Sequence, residues 1–264
     1  MKRIIQVFSM AGLDTVRLYR TVIAAPKILR DALYFLFTIR DFRYGRVGFF
    51  PILSDLNDLG GDWDTIYFLQ DQIVARHLFE ANVSRHCDVG SRVDGFILAI
   101  SSFMEEVIVG DLRAGETRVK NVKTEIFDLL DEGQISGANS KWHSISCLHT
   151  LEHLGLGRYG DRLCGSGWRI GLGNLIKRLE NGGSLILSVP VGERRTFFNA
   201  HRVFDPSDII EAGSQLGVEL KRFVLIDDNR NVSDFMNPPD VSNLSYGCGI
   251  FFFCKPMPND AGEP

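Results

Sequence analysis

The sequence is poor in the features that mark several protein classes. Its five cysteines are odd in number, and no two have the Cys-x-x-Cys spacing of zinc or redox sites. We therefore expect reduced thiols in a cytosolic protein. Nothing near the start reads as a signal peptide. The most apolar early segment, 21–39, holds Pro26, Lys27, Arg30 and Asp31, and these charges exclude a spanning helix.

A strong net charge is also absent. The formal net charge is −4 over 264 residues, which argues against a general nucleic-acid binder. The charge is uneven, because residues 1–50 hold nine Lys/Arg and three acids, a balance of +6. Basic residues beside the run 34–37 (Tyr-Phe-Leu-Phe) suit a helix that lies on a membrane surface or docks on a partner protein. The simpler alternative is a helix packed on its own domain.

What is present is enough apolar sequence for one large domain with an extension. Hydrophobic residues make up 45% of the chain and charged residues 23%. We expect a helical extension over 1–60, a main domain over 61–256 and a flexible tail over 257–264. Helices are predicted at 62–81 (capped by Asp62), 93–103, 168–179 (ending at Asn181-Gly182-Gly183) and from Asp205-Pro206-Ser207. Strands are predicted at 85–89, 105–110, 125–127, 144–148, 184–189, 219–226 and 250–253.

This alternation of strands and helices predicts a mostly parallel sheet covered on both faces. The last two strands have no helix between them. They should therefore pair antiparallel, as a hairpin at one edge of the sheet. The polar loop 228–245 that joins them is long for a compact domain.

The most informative stretch is the turn at Asp88-Val89-Gly90-Ser91, after an apolar strand. A second strand ends at Asp111, about 20 residues further on. A glycine in such a turn lets a ligand approach the backbone. The later acid can accept the hydroxyls of a ribose. The pair therefore predicts a nucleoside-binding site.

The order of motifs resembles the class I S-adenosylmethionine-dependent methyltransferases. Four blocks carry the resemblance: 87–90, 109–111, 147–153 and 179–185. It implies a Rossmann-like α/β fold, with seven mostly parallel strands and an antiparallel last strand. It also implies S-adenosylmethionine as cofactor. The turn departs from the family pattern, since Arg92 and Asp94 stand where the later glycines are usual.

A narrower resemblance is carried by the runs 67–71, 153–161 and 198–204. These runs are similar to a bacterial family known as a domain of unknown function. Members of that family often accompany surface-polysaccharide genes. The resemblance implies a glycan or glycolipid precursor as the methyl acceptor.

The methyltransferase resemblance assigns roles to particular residues. Asp88, Gly90 and Ser91 would form the cofactor turn, and Asp111 would hold the ribose. Asp128 would accept the adenine amino group, with Leu129 against the ring and His149 below the methyl group. The candidate catalytic residues are His149, Glu152, His153 and His201, one histidine acting as general base.

Several roles stay open. The four candidate catalytic residues could instead hold a divalent metal, although we predict none. The rim arginines could grip an anionic acceptor or form a solvated edge: Arg158, Arg194, Arg195 and Arg202. Gln70 and Asp71, on the helix before the first strand, could close over the site or face water.

The sequence thus predicts a cytoplasmic methyltransferase that acts on a small-molecule or glycan acceptor and does not bind nucleic acid. Residues 1–50 could contact a partner or the inner membrane face. One alternative is a methyltransferase-fold protein that has lost catalysis and serves as a scaffold in polysaccharide assembly. Another is a transferase that uses a sugar nucleotide.

Overall fold

The computed structural model describes residues 14–38, 65–91, 95–131 and 141–258. The chain divides into two compact units, Met1–Trp63 and Asp64–Pro264. In the first unit, helix α1 (Thr15–Thr38) contains Pro26. Among the described helices, none is long and apolar enough to cross a membrane. The predicted domain boundary at residue 60 and the predicted cap Asp62 lie outside the described residues.

The second unit alternates strands and helices as expected. Its helices are α2 (Ile66–Glu80), α3 (Gly95–Ser101), α4 (Gly167–Arg178) and α5 (Pro206–Gln215). Its strands are β1 (Arg85–Val89), β2 (Glu106–Asp111), β3 (Val122–Ile126), β4 (Trp142–Leu148), β5 (Leu179–Val191), β6 (Arg195–Phe197), β7 (His201–Val203), β8 (Glu219–Ile226), β9 (Val232–Phe235) and β10 (Gly247–Cys254).

Eight strands form the main sheet, in the order β3-β2-β1-β4-β5-β10-β8-β9. The five strands β1 to β5 pair in parallel, and β1 lies between β2 and β4. From β1 the chain builds the sheet outward through β2 and β3, and from β4 it builds outward on the other side, so the direction reverses between β1 and β4. This switch point is where open α/β sheets leave a crevice beyond their carboxyl ends.

The last strands correct one expectation. β8 and β10 do pair antiparallel, but β10 also pairs with β5 and therefore lies inside the sheet. The edge is instead β9, formed by residues of the predicted polar loop and paired with β8. Alternation in Val232–Phe235 is weak, because an edge strand with exposed side chains needs no apolar face.

Two helix boundaries also differ from expectation. The N-cap of α2 is Thr65, whose side chain accepts a hydrogen bond from the Phe68 N–H. α4 ends at Arg178, and β5 begins at the next residue. The Gly182-Gly183 pair is therefore within β5, at a shift in its register with β4. Glycines mark bulges as well as helix ends, which is why the sequence misled here.

Two apolar clusters cover the two faces of the sheet. One includes Leu172 and Leu175 of α4 and Ile209 of α5. The other includes Val74 and Leu78 of α2, with residues of α3. Helices on both faces leave the ends of the strands as the place for a ligand.

Candidate active site

A cavity of about 610 Å³ opens at the carboxyl ends of β1, β2 and β4. Seven of the residues singled out in the sequence line it: Gly90, Ser91, Asp111, Asp128, Leu129, His149 and His153. Asp88, Glu152 and His201 are not among its lining residues. The fold therefore brings seven of these ten candidates to one cavity, and the other three do not line it.

Gly90 makes the turn after β1 with a φ of +79°, in the left-handed region that favours glycine. A Cβ built there would lie 2.4 Å from Cγ2 of Thr150. The Gly90 N–H donates to the carbonyl oxygen of Gly110 at 2.7 Å. A glycine is therefore required both by the backbone conformation and by the close approach of the loop after β4.

Asp111 ends β2 and faces the cavity. Its Oδ1 accepts the backbone N–H of Arg113 at 2.7 Å and the Arg113 Nε–H at 3.3 Å. Among the described residues, no donor reaches its Oδ2. The carboxylate is thus fixed in orientation while keeping acceptor capacity for a ligand diol.

Asp128 follows β3, at the edge of the cavity. Its Oδ1 accepts the Leu130 N–H at 2.8 Å, which caps the turn after β3. Asp128 also lines the cavity, next to the apolar side chain of Leu129. An acid beside an apolar wall suits a planar base with an exocyclic amino group.

A buried polar chain lies near the first turn. His86 contacts the hydroxyls of Ser144 and Ser146 through its two ring nitrogens, each at 2.8 Å. Asp88 Oδ1 accepts the hydroxyls of Ser146 and Ser91. Asp88 Oδ2 is buried without a described partner. Asp88 therefore reaches the cavity through Ser91, which lines it.

Burial dominates the ionisation of this chain of groups. It raises the pKa of Asp88 to about 7, against the lowering effect of hydrogen bonds from Ser146 and Ser91. It lowers the pKa of His86 to about 3. His86 is thus neutral at physiological pH, and Asp88 is divided between its two forms.

His149 has the geometry of an oriented base. Its φ of +47° places a non-glycine residue in the left-handed region, a strain that tends to occur at functional sites. Its Nδ1 lies 2.9 Å from Oε1 of Glu152. Its Nε2 is buried and has no described hydrogen-bond partner. The Glu152 contact orients the ring, and in the neutral imidazole it leaves the lone pair on Nε2.

The electrostatics of His149 are set by opposing effects. Burial lowers the pKa of the imidazole, but the Cys248 sulfur and the Glu152 carboxylate outweigh burial and hold the pKa well above its usual range. Glu152 itself is almost completely buried, behind His149. A carboxylate hidden behind a cavity imidazole in this way holds the imidazole ring in one orientation.

The other two histidines are held differently. His153 lines the cavity, and its Nδ1 contacts the Ala200 carbonyl oxygen at 2.6 Å. Burial lowers the pKa of His153. His201 on β7 packs edge-on against Tyr246 rather than lining the cavity. Of the three, His149 therefore has the best position to act on a ligand.

Most of the rim arginines have other partners. Arg194 pairs with Asp208 at 2.8 Å, and Arg195 donates to the Glu193 carbonyl. Arg202 is buried and donates to the carbonyl oxygens of Glu152, Leu154 and Gly165. Arg158 lines the cavity, and it also donates to the Ala200 carbonyl oxygen at 3.2 Å.

The sequence reasoning missed Arg113, which also lines the cavity and packs over the ring of Tyr159. Its position two residues after Asp111 was the available signal. It also missed Ser188, whose hydroxyl accepts the His149 N–H and donates to Gln70 Oε1. Gln70 is buried and donates to Asp71, and both residues line the cavity.

The metal alternative finds no geometric support. Within the described ranges, no group of three or more His, Cys, Asp or Glu side chains is arranged to hold a metal ion. Glu152 is committed to His149, and His201 is directed toward Tyr246.

Comparison with solved structures identifies the fold. N-methyltransferase NodS from Bradyrhizobium japonicum WM9, solved with S-adenosyl-L-homocysteine, matches with a TM-score of 0.50 and 13% identity, over 74% of this chain and 90% of that one. An S-adenosylmethionine-dependent methyltransferase from Clostridium acetobutylicum ATCC 824 matches with a TM-score of 0.50 and 10% identity, over 74% and 94%. The second unit has the class I methyltransferase fold.

Sequence comparison adds less. A family model described as "Caenorhabditis protein of unknown function, DUF268" matches residues 107–210. That segment contains Asp111, Asp128 and the four candidate catalytic residues, but not the turn at Gly90. The description names neither bacteria nor polysaccharide genes. No curated protein matches the chain in sequence.

Proposed function

We propose that this protein is an S-adenosylmethionine-dependent methyltransferase. Its acceptor is an oxygen of a glycan or glycolipid precursor, and His149 is the general base. The observation that carries the proposal is the position of Asp111. Its carboxylate faces a cavity beside Gly90, at the switch point of a methyltransferase fold.

The residues of the cavity suit this cofactor. Gly90 lacks the Cβ that would crowd the floor, and Asp111 keeps an acceptor oxygen for a ribose diol. Asp128 and Leu129 would hold the adenine ring by its amino group and by its face. Ser91, linked to the buried Asp88, would lie near the amino acid end of the cofactor. When bound, S-adenosylmethionine supplies an electrophilic methyl group on a sulfonium.

The chain's own task is to align the acceptor and accept its proton. An acceptor hydroxyl that donates to His149 Nε2 would lose its proton to this nitrogen as its oxygen bonds to the methyl carbon and displaces the neutral thioether. Glu152 would stabilise the resulting imidazolium through Nδ1–H. The pKa of His149 lies well above its usual range, so the neutral form that can accept a proton becomes abundant only at higher pH. Activity should therefore rise with pH.

The glycan assignment rests on the aromatic and basic residues that line the cavity. Tyr67 and Tyr159 line the cavity and are partly exposed, and aromatic faces pack well against the C–H faces of sugar rings. Arg158 offers a cation for an acidic or phosphorylated sugar. The resemblance of 67–71, 153–161 and 198–204 to a family linked to polysaccharide genes points the same way.

Titration calorimetry tests the cofactor assignment. We expect S-adenosylmethionine and S-adenosylhomocysteine to bind with micromolar affinity. Asp111→Asn should weaken binding about 10- to 100-fold, because it removes charged hydrogen bonds to the ribose. The matched control is Asp234→Asn, at an exposed acid of the edge strand β9 that pairs with Arg222.

Other outcomes separate the alternatives. No heat with either ligand would remove the enzyme assignment and leave a scaffold built on this fold. Binding of a nucleotide sugar in place of the adenosyl ligands would select the sugar-nucleotide transferase. Equal affinities of Asp111→Asn and Asp234→Asn would show that Asp111 does not hold the ribose.

A further inference from the structure

Helix α1 presents its large apolar side chains to solvent. Eight of them are between 49 and 77% exposed: Leu18, Tyr19, Val22, Ile23, Leu29, Leu33, Tyr34 and Phe37. At 3.6 residues per turn, these positions fall within an arc of about 160°. They therefore form one continuous stripe along the 24-residue helix, which we call the outer face of α1.

The side of α1 opposite to the outer face carries mostly smaller residues, alongside Ile28 and Phe35, and it is less exposed. Ala24 is buried, and Thr21, Ala25, Ile28 and Ala32 are half-buried. This is the reverse of a helix in a soluble domain, which buries its large apolar side chains and exposes its polar ones. A stripe of this size is a mark of an interaction surface.

The charge of the segment identifies the kind of surface that fits the outer face. Within α1 the basic residues are Arg17, Arg20, Lys27 and Arg30, and the acid is Asp31. Asp31 accepts hydrogen bonds from Lys27 and Arg30, whose side chains remain half exposed or more. Residues 1–50 as a whole carry a balance of +6. A partner that complements α1 is therefore apolar in its interior and negatively charged at its surface.

An anionic lipid bilayer has both properties. The outer face includes Tyr19, Tyr34 and Phe37, and aromatic rings favour the boundary between headgroups and acyl chains. The helix is not one that could cross a membrane, so it would lie flat. A second copy of this chain fits less well, because pairing two outer faces would bring two basic helices together.

We propose that the outer face of α1 docks the protein on the surface of an anionic lipid bilayer. The aliphatic and aromatic side chains enter the boundary of the acyl chains, and the basic residues contact the anionic headgroups. This proposal is independent of the activity of the second unit.

Sedimentation of the full chain with lipid vesicles tests the proposal. We expect the protein to sediment with vesicles of phosphatidylcholine and phosphatidylglycerol, less with phosphatidylcholine alone, and less at high salt. The double substitution Leu29→Ser/Leu33→Ser should weaken partitioning about 10-fold or more. The matched control is Leu98→Ser/Met236→Ser, at two equally exposed apolar residues of the second unit, and it should sediment like the unmodified protein.

A second measurement separates docking from a folding defect. Circular dichroism shows whether each variant keeps its helix content. Phe37→Trp, a mild change on the outer face, should gain quenching by brominated lipids over the unmodified protein. Sedimentation unaffected by Leu29→Ser/Leu33→Ser, or absent with both vesicle types, would overturn the proposal. A dimer in light scattering that Leu29→Ser/Leu33→Ser dissociates, without vesicle binding, would assign the face to self-association.

Discussion

His149 and Glu152 stand three residues apart in the sequence, and their types and spacing were enough to nominate them. The sequence did not indicate which of the two would line the cavity and which would be buried behind it. The left-handed backbone at His149 turns the ring so that Nδ1 meets Glu152 and Nε2 stays unpaired. Such a backbone angle depends on tertiary packing, including the bond from the His149 N–H to Ser188, a residue 39 positions away.

The same limit applies to Asp88 and His86. The sequence marks Asp88 as the acid of a turn, but only the fold buries it against the hydroxyls of Ser91 and of Ser146 in β4. His86 gives no sign in the sequence that both of its ring nitrogens are satisfied by Ser144 and Ser146. Asp111 was the more predictable acid, because its place in the cavity lining depends mainly on its position at the end of a strand.

Glu152→Gln tests the pairing with His149. The amide oxygen can still accept Nδ1–H, but the Glu152 charge, one of the two causes that raise the pKa of His149, is lost. The pKa of His149 should therefore fall, and the rise of activity with pH should move to lower pH. The maximal rate should fall about 100-fold, because the imidazolium is no longer stabilised.

The measurement is the pH dependence of kcat and kcat/KM. Glu219→Gln, at an exposed glutamate that pairs with Lys221, is the control and should keep the original profile. A Glu152→Gln enzyme with an unchanged pH profile would remove His149 as the base.

Asp88→Asn tests the buried chain of polar groups through stability. Asp88 has a raised pKa of about 7 in the folded state. Its contribution to stability is therefore fully present below its unfolded value near 4 and is lost as the pH increases through 7. The asparagine keeps the acceptor oxygen for Ser91 and Ser146 but does not ionise.

We therefore expect the free energy of unfolding of the variant, relative to the unmodified protein, to increase by about 3 kcal/mol between pH 5 and pH 8. Urea unfolding at the two pH values measures this difference. The contribution of His86 is common to both proteins and cancels. A constant difference between them would mean that Asp88 ionises as freely as in the unfolded chain.

At the scale of elements, the turn after β1 is where sequence and structure agree best. The strand β1 and the strand β8 have the predicted bounds, 85–89 and 219–226. Asp205 caps α5 as expected, since it accepts the Ser207 N–H. These elements carry local signals: β1 runs into the Asp-x-Gly turn, β8 ends in an apolar run, and α5 has an Asp-Pro start.

Elements without local signals were missed. β9 is paired because β8 offers an open edge, not because its own residues are apolar. The position of β10 inside the sheet follows from its pairing with β5 over eight residue pairs. Such long-range pairing has no counterpart in a single stretch of sequence.

Gly90→Ala tests the turn as an element. At a φ of +79°, an alanine should cost about 1–2 kcal/mol in backbone strain. The new Cβ would also press on Thr150, which adds a further cost. Gly217→Ala is a matched control, because Gly217 has a φ of +88° and nothing within 4 Å of its Cβ position.

Thermal and urea unfolding should therefore show a larger loss for Gly90→Ala than for Gly217→Ala. Thr150→Ala in the Gly90→Ala background should restore part of the difference, since it removes the closest atom. Equal losses at the two glycines would mean that Thr150 has room to move.

At the scale of the whole molecule, the two units call for different kinds of argument. The motifs and the order of strands define the second unit, and its similarity to solved methyltransferases shows the fold rather than the reaction. The first unit has no such motif. Its informative property is the exposed outer face of α1. Composition alone could only suggest such a face, and the exposure of each side chain was needed to identify it.

The central claim is that an adenosyl group rests beside Gly90, with its ribose held by Asp111. A crystal structure of the full chain with S-adenosylhomocysteine tests this most directly. The account predicts ribose hydroxyls within hydrogen-bonding distance of the Asp111 carboxylate and adenine against Leu129. A ligand seated elsewhere, or a ribose turned away from Asp111, would contradict it.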